Sequence, residues 1–522
     1  MEVKVTDMKK AFLGIELGST RIKSVLTNEN AEVIASGSYE WENELIDGLW
    51  SYTLDSVETG LQASYKDLAA DYKAKHGEDL TEISAIGISA MMHGYLAFDE
   101  NGKLLVPFRT WRNTNTETAA DKLSELFSFN VPMRWSVSHY YQAILNGEEH
   151  IKNVGFLTTL AGYVHYRLTG KKVLGVGDAS GMFPIKDGNY DPEMLAKFNC
   201  LVKQHGINTP FEALLPTVLK AGKDAGTLTK EGAEWLDKSG VLKDGCVICP
   251  PEGDAGTGMV ATNSVSKRSA NVSAGTSAFL MAVLEKDLSR YYKEIDVVTT
   301  PDGAPVAMVH VNNFTSEMTA WTNLFEDVIA LSGKDMERGE LFEALYKKSL
   351  EADADVGGLM GYNFLSGEPI VNVASGIPMI ARIPGGKLNL ANFMKMHIYS
   401  ALGSLSIGCE ILESEKVSID RVCGHGGFFK TPIVGQSAMS AAIGAPVTVM
   451  NNAGEGGAWG IALLAMYRYY GKGNLDDFLM GIFRNTDNTT VEASESEKAS
   501  FRSFMEKYKK ALAIERLASE VL

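Results

Sequence analysis

Two distant segments of the chain share one pattern of apolar and polar positions. From Phe12 to Leu26, an apolar run leads into Gly18-Ser19-Thr20 and returns as alternating apolar residues. From Asn271 to Leu284, the same pattern recurs around Gly275-Thr276-Ser277, about half a chain later. Apolar runs that flank a short glycine-containing turn are typical of a β-hairpin. The sequence therefore predicts two similar hairpins and two similar halves.

Hydrophobic periodicity predicts the elements between and after the hairpins. Strands are expected over 31–40 and 83–91, a helix from Asp47 onward, and a long helix over 389–413. Residues 130–245 are predicted to be a helix-rich insertion, with a helix over 153–168 and a turn at 177–181. A buried helix over 455–467 is expected to pack closely through its small residues. Two amphipathic helices should follow Asn474, around a polar loop at 485–496.

Length and charge restrict the class of protein. A chain of 522 residues is too long for one core and indicates two large domains. The formal net charge of −16 disfavours nonspecific binding to nucleic acid. A bound nucleotide would therefore be held by local amides and a divalent cation.

The sequence also bears on the compartment. Its apolar runs are shorter than a membrane span, and residues 1–10 lack the apolar core of a signal peptide. Five cysteines fit a reducing compartment. Cys246 and Cys249 form a C-x-x-C without a second pair at metal spacing, so a buried strand is predicted there. These features predict a cytoplasmic protein that does not bind membranes.

The hairpin turns carry candidate chemistry for an anion. Glycine lets backbone N–H groups converge, and Ser19 and Thr20 add hydroxyl donors. Glu16 lies two residues before the turn, where a carboxylate could hold a phosphate-bound cation. The alternative is an ordinary hairpin with a polar turn.

Two segments suit a polyhydroxylated ligand. Met92-His93-Gly94 follows the predicted strand 83–91, at the end where open α/β sheets place ligands. Residues 107–116 combine an aromatic ring with planar hydrogen-bonding groups: Arg109, Trp111, Arg112, Asn113 and Asn115. Sugars stack on rings and bond to amides. A solvated loop with a half-buried Trp is the alternative.

Two glycine-rich segments complete the candidate sites. Glu252 and Asp254 lie among glycines after a predicted strand, where a carboxylate can take a proton from a hydroxyl. A structural Gly-Asp turn is the alternative. Gly424, Gly426 and Gly427 also follow a strand, and would let a purine and its phosphates lie against backbone. The sequence lacks G-x-x-x-x-G-K-[S/T] and a complete G-x-G-x-x-G, so a P-loop and a dinucleotide motif are excluded.

The sequence resembles the FGGY carbohydrate kinases of the actin-, hexokinase- and Hsp70-like ATPase superfamily. The resemblance rests on the two hairpins, on Gly253-Asp254-Ala255-Gly256 and on the Gly424–Gln436 segment, which follow one another along the chain as they do in the family. The resemblance implies an α/β fold with two duplicated actin/hexokinase-like (ribonuclease H-like) domains around a central cleft. It implies an N-terminal domain over 11–263, a C-terminal domain over 264–472 and a helical tail over 473–522. The cleft is expected to close when sugar binds, to exclude water.

The resemblance also implies ATP and Mg²⁺ and gives each candidate residue a role. Asp254 matches the catalytic base, and Glu16 stands where the family has an Asp that reaches the metal through water. The implied substrate-binding residues are Met92, His93, Gly94, Trp111, Arg112, Asn113 and Glu252. The implied nucleotide-binding residues are Gly18, Ser19, Thr20, Lys23, Gly275, Thr276, Ser277, Gly426, Gly427 and Thr431. Glu16, Asn113 and Thr431 depart from the usual Asp, Asp and Asn, and the Leu-Ser-Gly-Glu at 365–368 resembles a loop on the nucleotide side.

Within the family, Met92-His93-Gly94 resembles the xylulokinase branch. It implies a ketose kinase, acting on a pentulose such as D-xylulose. A ribulokinase-like or other polyol kinase, or a sugar-sensing protein that binds without phosphorylating, is the alternative. An Hsp70-like chaperone would need a peptide-binding domain that the short tail cannot supply. The expected partners are small molecules, with a homodimer formed at the tail.

Overall fold

The computed structural model describes residues 10–450, 456–471, 473–484 and 486–522. By their contacts these residues divide into two compact units. Of these residues, the first unit draws on 10–265, 297–305, 456–471 and 473–484, and the second on 266–296, 306–450 and 486–522. The predicted boundaries after residues 263 and 472 stay predictions.

The first unit is built on a mixed sheet. Its strands lie in the order Val247–Ile248, Ala85–Ala90, Phe12–Leu17, Arg21–Thr27 and Val33–Glu40, with Glu252–Gly253 also paired to Ala85–Ala90. The two hairpin strands pair antiparallel, and Phe12–Leu17 runs parallel to Ala85–Ala90. The first predicted hairpin and the strands predicted over 31–40 and 83–91 are confirmed. Small sheets add Glu44–Ile46 with Leu49–Ser51, Leu96–Phe98 with Phe156–Thr158, Val173–Gly175 with Thr217–Leu219, and Ile185–Lys186 with Asn189–Tyr190.

The first unit also contains ten helices within its described residues, and two of them come from late in the chain. They are Leu54–His76, Glu117–Phe127, Ser136–Leu145, Leu160–Thr169, Val176–Ala179, Pro192–Lys203, Lys230–Leu236, Asp254–Ala261, Gly456–Tyr470 and Leu475–Phe483. A Cβ built on Gly14 would lie 2.0 Å from the carbonyl oxygen of Ala458, so the sheet and Gly456–Tyr470 touch backbone to backbone. The close packing predicted for this helix is confirmed, although the predicted first residue, Glu455, lies outside the described residues. Among the residues described, no helix is long and apolar enough to span a membrane.

The second unit repeats the strand order of the first. Its sheet runs Ile295–Thr299, Pro305–Val311, Ala278–Val283, Ser269–Ala274, Arg421–His425, Val447–Met450 and Asn488–Val491. The second hairpin is confirmed, and Ser269–Ala274 runs parallel to Arg421–His425. Leu359–Tyr362 pairs separately with Met379–Arg382. The helices are Ser316–Leu331, Arg338–Lys348, Leu390–Ser414, Val434–Ile443 and Glu495–Val521. The long helix predicted over 389–413 is confirmed, with Asn389 as its N-cap.

Four predicted local elements were wrong. The helix does not begin at Asp47: Asp47 and Gly48 have positive φ and join Glu44–Ile46 to Leu49–Ser51, and the helix begins after the N-cap Thr53. Residues 156–158 pair as a strand, so the helix predicted over 153–168 begins at Leu160. The turn predicted at 177–181 includes the end of the buried helix Val176–Ala179. The loop predicted at 485–496 contains the strand Asn488–Val491, while Asn485 itself lies outside the described residues.

Candidate active site

Hydrogen bonds from residues outside the first hairpin fix the backbone carbonyl groups of its turn. Trp41 Nε1 donates to the carbonyl of Gly18 at 2.7 Å, and the Tyr52 hydroxyl donates to the carbonyl of Ser19 at 2.6 Å. The Trp41 N–H donates to the carbonyl of Thr20 at 3.2 Å. The Trp41 and Tyr52 rings pack in a tilted pair with centroids 4.2 Å apart, which fixes both donors.

With the carbonyls of the first turn bonded to the protein, the N–H and O–H donors of the same turn are left for a ligand. The amides of Ser19 and Thr20 have no hydrogen-bond partner within the described part of the chain. The Ser19 hydroxyl accepts from Trp111 Nε1 at 3.2 Å, so its own proton is available to a ligand. Convergent amides and hydroxyls are the groups that bind a phosphate.

The turn of the second hairpin is held in the same way by a different segment. The Thr315 hydroxyl donates to the carbonyl of Gly275 at 2.6 Å, and the Phe314 N–H donates to that of Thr276 at 2.9 Å. The Gly275 N–H closes the turn on the carbonyl of Ser277 at 2.9 Å. In both hairpins, donors from a distant segment thus hold the first two carbonyls of the turn, whereas the closing hydrogen bonds differ, because the Gly18 N–H donates to the carbonyl of Arg21 at 3.0 Å.

The segment that holds the second turn is itself fixed by buried polar groups. The Glu368 carboxylate accepts from the backbone N–H groups of Asn312 and Asn313. The Asn363 amide donates to the carbonyls of Asn313 and Phe314. Burial raises the pKa of Glu368, although the N–H donors around it favour the ionised form. The Leu-Ser-Gly-Glu loop thus supports the second turn through Asn313.

Asp254 begins the helix Asp254–Ala261 and is exposed to solvent. Its Oδ1 accepts from the N–H of Met92 at 3.2 Å and from that of Ala255 at 2.9 Å. Surrounding protein nevertheless removes water from the carboxyl, and this raises its pKa; both N–H donors oppose the shift. Both of these donors reach Oδ1, and no hydrogen bond to Oδ2 is seen within the described residues. The carboxylate is thus held against the first residue of Met92-His93-Gly94.

Glu16 lies half-buried on the first hairpin strand, opposite Lys23. Burial and the nearby Asp254 carboxylate raise the pKa of Glu16 to about 7, opposed by an N–H donor from Ala458 and by Lys23. A Cβ on Gly457 would lie 2.2 Å from Glu16 Oε1, so glycine leaves room for this carboxylate. The described residues contain no cluster of three or more His, Cys, Asp or Glu side chains arranged for a metal. A cation here would therefore depend on one carboxylate, water and phosphate, as Mg²⁺ does with nucleotides.

Glu252 is buried behind Asp254, not open to a ligand. Its two oxygens accept from the N–H groups of Gly177 at 3.3 Å and Asp178 at 3.0 Å. Burial, with the adjacent Asp178 carboxyl, raises the pKa of Glu252 well above its usual range. Burial also raises the pKa of Asp178 to about 7, against a hydrogen bond from Thr159. Glu252 thus holds a short helix through two backbone N–H groups, and its predicted contact with the sugar stays a prediction.

The Met92-His93-Gly94 segment follows the strand Ala85–Ala90 in a left-handed turn, with φ of 69° at His93 and 89° at Gly94. A Cβ on Gly94 would lie 2.7 Å from the Arg109 carbonyl oxygen. The His93 ring is buried, lies 6.4 Å from the Trp135 ring and approaches the carbonyl of Gly181. Burial holds the pKa of His93 well below its usual range, so the imidazole is neutral.

The Trp-centred segment divides between exposed and buried roles. Trp111 is 39% exposed and bonds to the first turn through Ser19. Arg112 lies over the Trp50 ring at 4.3 Å and donates to Asn43. Asn113 is buried: its amide accepts from the Trp50 N–H and donates to the Trp50 and Thr110 carbonyls. Asn113 thus ties its loop to Trp50.

Replacing Asn113 by Asp, the usual family residue, is expected to destabilise the protein. A carboxylate can accept from the Trp50 N–H but cannot donate to the carbonyls of Trp50 and Thr110. Loss of a buried donor costs about 1–3 kcal/mol in the free energy of unfolding. Urea titration of Asn113→Asp beside the exposed control Asn101→Asp would measure this. Equal stability of both variants, with tighter sugar binding by Asn113→Asp, would show that the hydrogen bonds of Asn113 to Trp50 and Thr110 do not stabilise the loop.

The predicted adenosine motif follows the strand Arg421–His425, which pairs parallel with the first strand of the second hairpin. Gly426 follows the strand Arg421–His425 with φ of 106°, and a Cβ there would lie 2.3 Å from the carbonyl oxygen of Ala274. Gly427 has open space where its Cβ would be. Thr431 is buried, in the loop before the helix Val434–Ile443. Gly426 thus lets its loop pack on the residue that precedes the second turn.

Sequence reasoning missed the residues that hold the turns. Trp41, Tyr52, Phe314 and Thr315 lie 21–40 residues from the turns they support and follow no shared spacing. In each half, donors follow the strand that pairs with the second hairpin strand, so a search after that strand could have found Trp41, Phe314 and Thr315. Cys246 and Cys249 are free thiols.

Comparison with known proteins agrees with this architecture. The model of the N-terminal domain of the FGGY family of carbohydrate kinases matches residues 11–244, and that of the C-terminal domain matches residues 270–469. The xylulose kinase of Haemophilus influenzae is 22% identical over 517 residues, which cover 95% of this chain and 98% of that protein.

Solved structures extend the likeness to the fold. A ligand-bound xylulose kinase from Lactobacillus acidophilus has a TM-score of 0.78 at 16% identity, covering 98% of this chain and 99% of that one. A gluconate kinase from the same organism has a TM-score of 0.77 at 16% identity, with the same coverage of both chains. The predicted α/β fold of two duplicated actin/hexokinase-like domains is confirmed.

Proposed function

Because the chain belongs to the FGGY family of carbohydrate kinases, and is an ATP-dependent sugar phosphotransferase, we propose that it phosphorylates a ketose with Asp254 as general base. The observation that carries this proposal is the Asp254 carboxylate, which is solvent-accessible and fixed through Oδ1 by the Met92 N–H. A fixed carboxylate with a second oxygen toward solvent suits proton abstraction from an alcohol.

In the proposed reaction, a sugar hydroxyl attacks the γ-phosphorus of ATP and its proton passes to Asp254 Oδ2. A new P–O bond forms as the bond to the β,γ-bridging oxygen breaks, and ADP leaves. The amides and hydroxyls of Ser19, Thr20, Thr276 and Ser277 would donate to phosphate oxygens, with Gly18, Gly275 and Lys23 beside them. Bound Mg²⁺ neutralises phosphate charge, and Glu16 is the residue that would hold it through water.

We propose a pentulose as the sugar, with D-xylulose first. Met92-His93-Gly94, Trp111 and Arg112 are the proposed contacts, since they combine an exposed ring with polar groups near the base. The likeness to a xylulose kinase over nearly the whole chain supports this choice. A ribulokinase-like or other polyol kinase is the alternative, because a gluconate kinase shares the fold equally well.

A sugar panel tests the proposal. Purified protein with MgATP would be assayed for ADP release with D-xylulose, L-xylulose, L-ribulose, glycerol and gluconate. We expect one pentulose to raise ADP release by about 10-fold or more over the sugar-free rate, and to raise Tm as a bound ligand does. If ATP and a sugar each raise Tm but no sugar yields a phosphorylated product, the protein is a sugar sensor, not a kinase.

A further inference from the structure

The turn between the strands Ile295–Thr299 and Pro305–Val311 contacts the residues around Asp254. Residues 297–305 belong to the first unit, although they lie between segments of the second. The Thr299 hydroxyl donates to the carbonyl of Val176 at 2.9 Å, and its N–H donates to Ser180 Oγ at 3.1 Å. Thr299 thus holds both ends of the short helix Val176–Ala179.

That helix is the one that receives the Glu252 carboxylate. Glu252 accepts from the N–H groups of Gly177 and Asp178, and it precedes Asp254 by two residues. The Gly175 N–H also donates to the Pro251 carbonyl at 2.7 Å. A shift of the short helix would therefore be transmitted to the strand that leads into Asp254.

The same turn reaches the other side of Asp254. A Cβ on Gly256, two residues after Asp254, would lie 3.2 Å from the Pro301 ring. Pro301 is buried, and its carbonyl accepts from the Ala221 N–H at 2.8 Å. One turn thus packs against the first turn of the helix that carries Asp254 and, through Thr299, supports the preceding strand.

We propose that Thr299 and Ser180 are positioning residues for the Asp254 carboxylate. They make no direct contact with it and act through the helix Val176–Ala179 and Glu252. This inference rests on the proposed function, because it concerns the residue assigned as base. Small displacements of a catalytic group lower the rate of the chemical step more than they weaken substrate binding.

The test compares Thr299→Val and Ser180→Ala with Thr300→Val. Thr300 is also buried, but its hydroxyl accepts only from the Ala304 N–H inside the turn. We expect Thr299→Val and Ser180→Ala to lower kcat by about 10-fold or more, with KM for ATP within about 2-fold of the unmodified protein. Thr300→Val should keep kcat within about 2-fold, and Thr299→Ser, which retains the hydroxyl, should restore it.

An Asp254→Asn background separates positioning from general structure. If Thr299 acts through the base, Thr299→Val should cause no further loss of the residual rate in that background. An equal loss in both backgrounds, or an equal loss with Thr300→Val, would overturn the inference. Near-normal turnover by Asp254→Asn alone would instead remove the base assignment, and this inference with it. If Thr299→Val does not fold, Ser180→Ala gives the same comparison.

Discussion

Asp254→Asn is expected to lower kcat with the cognate sugar by about 10²–10⁴-fold, the usual contribution of a general base. The Asn amide oxygen can still accept from the N–H groups of Met92 and Ala255, so the local structure should survive. What is lost is the ability of the second oxygen to take a proton. The protein should therefore bind ATP and sugar with nearly unchanged Kd.

The pH dependence of kcat/KM is a second test of Asp254 as the base. Only the ionised carboxylate can act as a base, and partial removal of water by the surrounding protein raises the pKa of Asp254 above that of a free Asp. The value of kcat/KM should therefore fall as pH decreases through this raised pKa, and the proposed metal carboxylate Glu16, with a pKa of about 7, should add to the same acidic limb. Asp254→Asn should lose the part of this acidic limb that belongs to Asp254, whereas Glu16, whose pKa is raised mainly by its own burial, should still lower the residual rate on acidification.

Steady-state kinetics across pH, together with isothermal titration for ATP and sugar, would check both expectations. Asp187→Asn is the matched control, because Asp187 lies in an exposed turn with positive φ that Asn also accepts. Turnover by Asp254→Asn within about 3-fold of the control would exclude Asp254 as the base.

The sequence predicted those parts of the fold that depend on local patterns. Both hairpins follow from alternating apolar residues and a glycine turn, and the helix Leu390–Ser414 follows from one apolar stripe with an Asn cap. Asp47-Gly48 is also a local pattern typical of a hairpin turn, but the apolar residues that follow it fit a helical period and so predict a helix instead. The strand Phe156–Thr158 exists only because Leu96–Phe98 lies beside it, and no local pattern marks that pairing.

The candidate site residues also differ in how far local sequence could predict their contacts. Residue type and order predicted roles for Asp254 and Glu16 that stay predictions, and the structure brings these two carboxyls close enough to affect the pKa of Glu16. Residue type alone could not predict the hydrogen bonds of Glu252 with Gly177 or of Asn113 with Trp50, because these backbone partners lie 75 and 63 residues away in the chain. A carboxylate or amide in a matching motif can serve the backbone as readily as a ligand, and only the tertiary contacts distinguish the two.

Gly426→Ala is expected to disrupt the nucleotide side of the second unit. Its φ of 106° is unfavourable for a residue with a side chain, and the new Cβ would lie 2.3 Å from the Ala274 carbonyl oxygen. Because Ala274 precedes the second turn, a shift there would move the donors proposed for phosphate. We expect kcat/KM for ATP to fall by about 100-fold or more, with a loss of about 1–3 kcal/mol in the free energy of unfolding.

Gly427→Ala separates folding from nucleotide contact, because a Cβ at Gly427 meets only open space. Without ATP, Gly427→Ala should unfold at the Tm of the unmodified protein, whereas Gly426→Ala should unfold at a lower Tm. If adenosine lies against this backbone, the added methyl of Gly427→Ala should still weaken the ATP-dependent rise in Tm. Gly339→Ala, at another open glycine in the helix Arg338–Lys348, should retain both Tm and that rise. An undiminished response of both Gly426→Ala and Gly427→Ala to ATP would place the nucleotide away from this loop.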